Sequence, residues 1–227
     1  MFIGHFGVGL GAKSIRPAIS LGTLFLASQL LDLMWPTFLL MGLEEVTIQP
    51  GITEVTPLNF THYPISHSLL LVLGWSLLAG VLYWILRRKR EGARLDAMVV
   101  GLCVLSHWLL DVIMHRPDLP LYPGDSPMLG LGLWNSLAGS VVVESILFAA
   151  GVVLYARSTS AQDRIGSIGF WSLIGSLVLI HVGNLFGPPP TNTTDIAWAG
   201  QLQWILVLWA YWVDKHRVPA GGTVRMA

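Results

Sequence analysis

The sequence predicts an all-α fold, a polytopic membrane helical bundle of about six transmembrane helices, and three observations carry that expectation. Only 11% of the residues are charged and 53% are hydrophobic, whereas a soluble domain carries about 25% charged residues. The apolar residues gather into six runs, each near the roughly 20 residues that a helix needs to cross hydrocarbon. The basic residues fall almost entirely on one side of those runs.

The first span is expected from Pro17 to Met41 and the second from Ser66 to Leu86. The third runs from Leu95 to Met114 and the fourth from Trp134 to Ala156. The fifth covers Ile168 to Phe186 and the sixth Ala197 to Val213. Every span must be helical, because lipid cannot satisfy exposed backbone groups. The breaks carry Pro and Gly, as in HRPDLPLYPGDSP and FGPPPTNTTD, and read as loops. One integral membrane domain is expected over residues 1–217, with a disordered tail over 218–227. No cleavable signal peptide is expected at Met1–Ala12, since no basic residue precedes that run and no small-residue cleavage site follows it.

Cytoplasmic loops collect Lys and Arg. Of the 13 such residues, all except Arg116 fall on one side of a six-span arrangement. They cluster at Lys13 and Arg16, from Arg87 to Arg94, at Arg157 and Arg164, and from Lys215 onward. A missed or invented span would scramble that pattern, so both termini are expected in the cytoplasm. Trp35, Trp134 and Trp198 fall near the outer boundary, where interfacial aromatics gather. Lys plus Arg equals Asp plus Glu, so net charge points to no nucleic acid. A single cysteine, Cys103, excludes an intrachain disulfide and a cysteine zinc cluster.

Ionisable residues inside a span are costly and are functional candidates by default. Asp32, His107, Asp111, Glu144 and His181 lie within spans, and His67 and His115 lie at span ends. Counting helical rise from the nearest basic residue gives their depths. Asp32 comes about 24 Å above Arg16, and His107 and Asp111 about 20 and 25 Å above Arg94. Glu144 comes about 20 Å above Arg157, His181 about 25 Å above Arg164 and His67 about 30 Å above Arg87. Residues from five helices therefore share one layer, the outer third of the membrane.

Within that layer the spacing suggests metal chemistry. His107 and Asp111 are four residues apart, so they share one helical face, and His115 continues it. His62 and His67 flank a turn at Pro64. Imidazole and carboxylate without thiolate suit a divalent metal, zinc foremost, in a catalytic type of site. Glu144 or His115 would serve as general base or as a hydrogen-bonding partner of the ligands. His181 reads as a hydrogen-bonded structural residue, and Gln201 and Gln203 as contacts between helices. GVGLG, residues 7–11, has no strand before it and reads as close helix packing.

Four motifs occur in order: Gly4-His5, LLDLMWP at 30–36, HYPISHS at 62–68 and SHWLLD at 106–111. Over residues 4 to 125 the chain thereby resembles the LexA-binding, inner-membrane-associated hydrolase family of bacteria, also labelled membrane-bound metal-dependent hydrolases. The ligand order is also distantly similar to that of zinc-dependent phospholipase C, by analogy. The resemblance implies metal ligands at His5, Asp32, His62, His67, His107 and Asp111. It departs at Met34, where the family often has a second Asp, and at Tyr63-Pro64, where it usually has Arg-Gly. His5 reaches the shared layer only if Met1–Ala12 folds back as a half-helix. Such re-entry is tolerated only where protein buries it.

The expected function is a membrane-bound metal-dependent hydrolase of the bacterial inner membrane with a His/Asp site near the periplasmic face. It would act on a lipid or phosphoester. The alternative is a non-enzymatic membrane protein, a carrier or an ion-binding scaffold. A carrier would be expected to show interrupted helices in an internal repeat, and no repeat is evident.

Overall fold

The computed structural model describes residues 1–220. Five of its helices are long and apolar enough to cross a membrane, and a bent helix pair makes a sixth. The fold is the all-α polytopic bundle that composition and pattern predict.

Helix α1 (Ile3–Ile15) is buried along most of its length and packs along α7 (Leu137–Ser158). Its small residues permit that approach. A Cβ on Gly7 would stand 2.6 Å from the Leu147 carbonyl oxygen, so only glycine fits, and GVGLG is close helix packing. Thus α1 is the half-helix folded back into protein. Met1 lies beside Asp111 in the interior, and the chain reaches the basic end only at Lys13.

The first span is broken. α2 (Leu21–Ser28) and α3 (Leu30–Leu40) meet at Gln29 with a bend of 56°. The full spans are α5 (Leu69–Arg87), α6 (Ala93–Met114), α7 and α8 (Arg164–Phe186). The last crossing is α9 (Thr193–Gln201) followed by α10 (Gln203–Lys215), joined at Leu202. Little of α5 is fully buried, only 6% of its apolar window, and one face of it from Leu70 to Leu86 is exposed. So large an apolar face belongs in lipid.

One end of the bundle is covered by a hairpin of β1 (Glu45–Ile48) and β2 (Leu58–His62), by the single turn α4 (Pro64–His67), and by β3 (Leu119–Pro120) paired with β4 (Met128–Leu129). The opposite end gathers the basic residues. Lys13 lies 2.8 Å from Asp214 and Arg16 lies 2.6 Å from Asp96. The Arg217 guanidinium donates to the Gly166 carbonyl at 2.8 Å and sits 4.8 Å over the Phe170 ring. The tail differs from expectation at its start. β6 (Arg217–Pro219) pairs antiparallel with β5 (Thr159–Ala161), so Val218 and Pro219 are ordered by a ladder. Residues 221–227, including Arg225, lie outside the described residues.

Candidate metal centre

Two groups of side chains meet at the inner ends of α1, α3, α4 and α6. One is His5, His107 and Asp111, and the other Asp32, His67 and His107. In each group one ligand atom per residue lies within 4.8 Å of the others. The helical spacing on α6 puts His107 Nε2 3.2 Å from Asp111 Oδ2. Asp32 enters from α3, just past the break at Gln29, with Oδ1 3.5 Å from His107 Nε2 and 3.6 Å from His67 Nε2. His67 Nε2 is 3.8 Å from Asp111 Oδ2. His5 Nε2 lies 3.1 Å from Asp111 Oδ1, and its ring stacks on His107 with centroids 3.6 Å apart.

The hydrogen bonds on the far side of two rings fix their tautomers. His107 Nδ1 lies 2.8 Å from the Ser28 carbonyl oxygen. A carbonyl only accepts, so Nδ1 carries the hydrogen. The break at Gln29 supplies this acceptor, since Ser28 is the last residue of α2. His67 is fixed by a relay. The Ser66 hydroxyl donates to Glu44 Oε2 at 2.7 Å, so it accepts from His67 Nδ1, also at 2.7 Å. The Ser66 amide binds the same carboxylate, and Trp108 Nε1 donates to the His67 carbonyl.

In neutral rings held this way, both Nε2 atoms present lone pairs toward two carboxylates. His107 Nε2 is buried and makes no hydrogen bond. The contacts of the two Nε2 atoms with these carboxylates run from 3.2 Å, His107 to Asp111, to 3.8 Å, His67 to Asp111, longer than the roughly 2.7–2.9 Å of a charge-assisted bond. Lone pairs facing carboxylate oxygens repel unless a cation lies between them. The donor set and its outer hydrogen bonds match how metal-binding histidines are held, so these residues fit a divalent ion.

The other expected site residues are placed differently. His62 is exposed at the end of β2, opposite Glu45, and belongs to neither group. Strand β2 carries it to the surface, while the turn at Pro64 turns His67 inward. Glu144 Oε2 accepts from the amides of Phe2 at 2.8 Å and Gly4 at 3.3 Å. These are orphan donors at the start of α1, where a carboxylate is favoured. Glu144 thus holds the helix that carries His5. His115 follows the end of α6, with Nδ1 2.9 Å from Asp118 Oδ1. Tyr63 donates to that same oxygen at 3.0 Å. Burial pushes the His115 imidazole below its ordinary value, so the ring is neutral at neutral pH. Burial and the Asp118 carboxylate push the Tyr63 phenol well above its own value. Asp118 therefore takes the His115 Nδ1 hydrogen and leaves Nε2 as a base. His181 is buried, but neither ring nitrogen has a partner among the described residues, so the expected structural hydrogen bond is missing.

A cavity of about 900 Å³ opens from the cluster. Asp32, His67, Asp111, His115 and Glu144 border it on one side and α8, α9 and α10 on the other. Comparison of the chain with protein-family models, with curated proteins and with solved structures finds no match. The resemblance drawn from the four sequence motifs accordingly rests on those motifs alone.

Proposed function

We propose that this chain is a metal-dependent hydrolase of the bacterial inner membrane, with its site near the periplasmic face and its basic end in the cytoplasm. The observation that carries this reading is the convergence of His67 Nε2 and His107 Nε2 on Asp32 and Asp111, with both Nδ1 atoms hydrogen-bonded outward. His67, His107, Asp32 and Asp111 would hold the ion, with His5 completing the set on the Asp111 side. A divalent ion, zinc foremost, supplies Lewis acidity and lowers the pKa of water.

The chain's own residues supply the rest. Neutral His115, backed by Asp118, accepts a proton from water at Nε2. The water oxygen bonds to the acyl carbon or phosphorus of an ester. The ester C–O or P–O bond breaks, and the departing oxygen takes the proton back. Glu144 keeps α1 seated so that His5 stays on Asp111.

Metal analysis of the detergent-purified protein tests the reading. We expect about one or two divalent ions per chain, lost in Asp111→Asn while the variant still inserts and folds. A metal-free wild type would reject the proposal. Bound metal without turnover of any ester or phosphoester would favour the ion-binding scaffold.

A further inference from the structure

We propose that the cavity between the cluster and α8–α10 holds the acyl chain of a membrane lipid, which reaches it sideways from the bilayer, with His181 and Trp209 meeting the lipid's ester region. This rests on the hydrolase reading of the cluster and names its substrate class.

Three observations converge on it. The first is the shape of the cavity. It starts at Asp32, His67 and Asp111 and runs to α8, α9 and α10, and its volume lies in the range of ligand pockets. The second is its far wall. Leu179, Leu202 and Ile205 border the cavity and are also 72%, 60% and 56% exposed. The wall that closes the cavity thus lies on the lipid-facing surface, and an apolar chain can pass between its side chains without crossing water. A water-soluble substrate would need a polar path there instead.

The third observation is a set of orphaned polar atoms. Both ring nitrogens of His181, Trp209 Nε1 and Gln203 Oε1 are buried without hydrogen-bond partners among the described residues, and all three residues border the cavity. Buried polar atoms are normally paired, and leaving one unpaired is costly. An indole N–H only donates, so Trp209 calls for an acceptor such as an ester carbonyl. His181 can donate from one nitrogen and accept at the other. Gln203 Oε1 accepts from a hydroxyl. Ester carbonyls and a hydroxyl beside a long apolar chain describe a glycerolipid.

Gly183 provides the test. It borders the cavity one half-turn from His181, and a Cβ built there meets nothing within 4 Å. Gly183→Phe therefore adds a ring at the edge of the cavity without forcing the helix. The experiment uses the full chain in phosphatidylglycerol nanodiscs containing a trace of phosphatidylglycerol with a diazirine in its acyl chain. Photolabelled residues are mapped by mass spectrometry, and metal content is measured alongside. We expect labelling of buried Leu206 and half-buried Trp209, reduced at least about tenfold in Gly183→Phe, a loss of order 1.4 kcal/mol in occupancy. Exposed Leu77 on α5 should label equally in both proteins, as a control for bilayer contact. No label at Leu206 and Trp209, or label that Gly183→Phe leaves unchanged, overturns the proposal. Labelling needs neither metal nor turnover. A labelled but metal-free protein would therefore reject the hydrolase reading and leave the lipid cavity standing.

Discussion

At the basic end, buried Lys13 lies 2.8 Å from Asp214, and half-buried Arg16 lies 2.6 Å from buried Asp96. At the cluster, three imidazoles and two carboxylates crowd together; the Met1 ammonium pairs with Asp111 at 2.9 Å, while the nearest Asp32 contacts stay at 3.5 and 3.6 Å. Both regions bury charge in the same bundle, but the basic end pairs single cations with single carboxylates, whereas at the cluster three imidazoles share two carboxylates. Distance alone does not separate the two regions. The direction of hydrogen bonding does, because the outer nitrogens of His67 and His107 are tied to Ser66 and Ser28 and their inner nitrogens are left facing acceptors.

The comparison breaks if both regions respond alike to losing a charge. Lys13→Met leaves Asp214 buried without its partner, and removing one member of a buried pair costs about 3–5 kcal/mol. We expect thermal unfolding in detergent to fall accordingly, with metal content unchanged in the protein that remains folded. His107→Leu should do the reverse. It loses the Ser28 hydrogen bond, a cost of about 1 kcal/mol, and the stacking on His5, less than the Lys13 pair, while bound metal disappears. Equal destabilisation by both substitutions would show the cluster to be a structural network.

A smaller effect sharpens the reading of the relay. Glu44 touches no candidate ligand atom, yet it fixes the direction of the Ser66 hydroxyl and through it the His67 tautomer. Losing such an outer partner typically costs about 10–100-fold in metal affinity. Glu44→Gln should show that loss in a chelator competition titration, whereas His62→Ala, out on the hairpin, should show none. An unchanged affinity in Glu44→Gln would mean that His67 is oriented by packing against Tyr63 and Trp108 instead.

Much of this was legible in the sequence, for reasons particular to each element. The spans and the basic end follow from hydropathy and from charges that the structure gathers at one face. His107 and Asp111 follow from helical spacing, and Asp32 and His67 from depth. The break at Gln29 was not legible, because LASQLLD contains neither Gly nor Pro to mark it, yet the break supplies the Ser28 carbonyl. The role of Glu44 was not legible, since its contact with Ser66 spans a hairpin whose register no local pattern reveals. His115 was read as continuing the α6 face. The helix ends at Met114, shortly before Pro117, and the loop turns His115 toward Asp118. His62 shared a motif with His67, but strand geometry sends the two apart.

The smallest expected effect concerns an exposed pair at the basic end, and it tests whether that end is tuned by charge at all. Asp163 caps α8, accepting from the Gly166 amide at 2.8 Å, and lies 2.7 Å from His216 Nδ1. The Gly166 hydrogen bond, followed by the His216 contact, holds its carboxyl below the usual aspartate value. A carboxyl depressed in the folded state contributes stability that is fully present above its unfolded pKa, roughly 3.9. That contribution is lost as pH falls below this value and through the folded pKa. Between neutral pH and pH 5 it should therefore be constant, and below pH 4 it should fade. Asn caps a helix as well as Asp does, so Asp163→Asn removes the charge and keeps the cap. Because the pair is solvated, salt should shrink the difference between the two proteins. We expect their melting curves to converge as pH drops below 4 and to differ slightly, and less at high salt, near neutrality. Identical curves at every pH and salt would show that Asp163 acts at the basic end only as a cap.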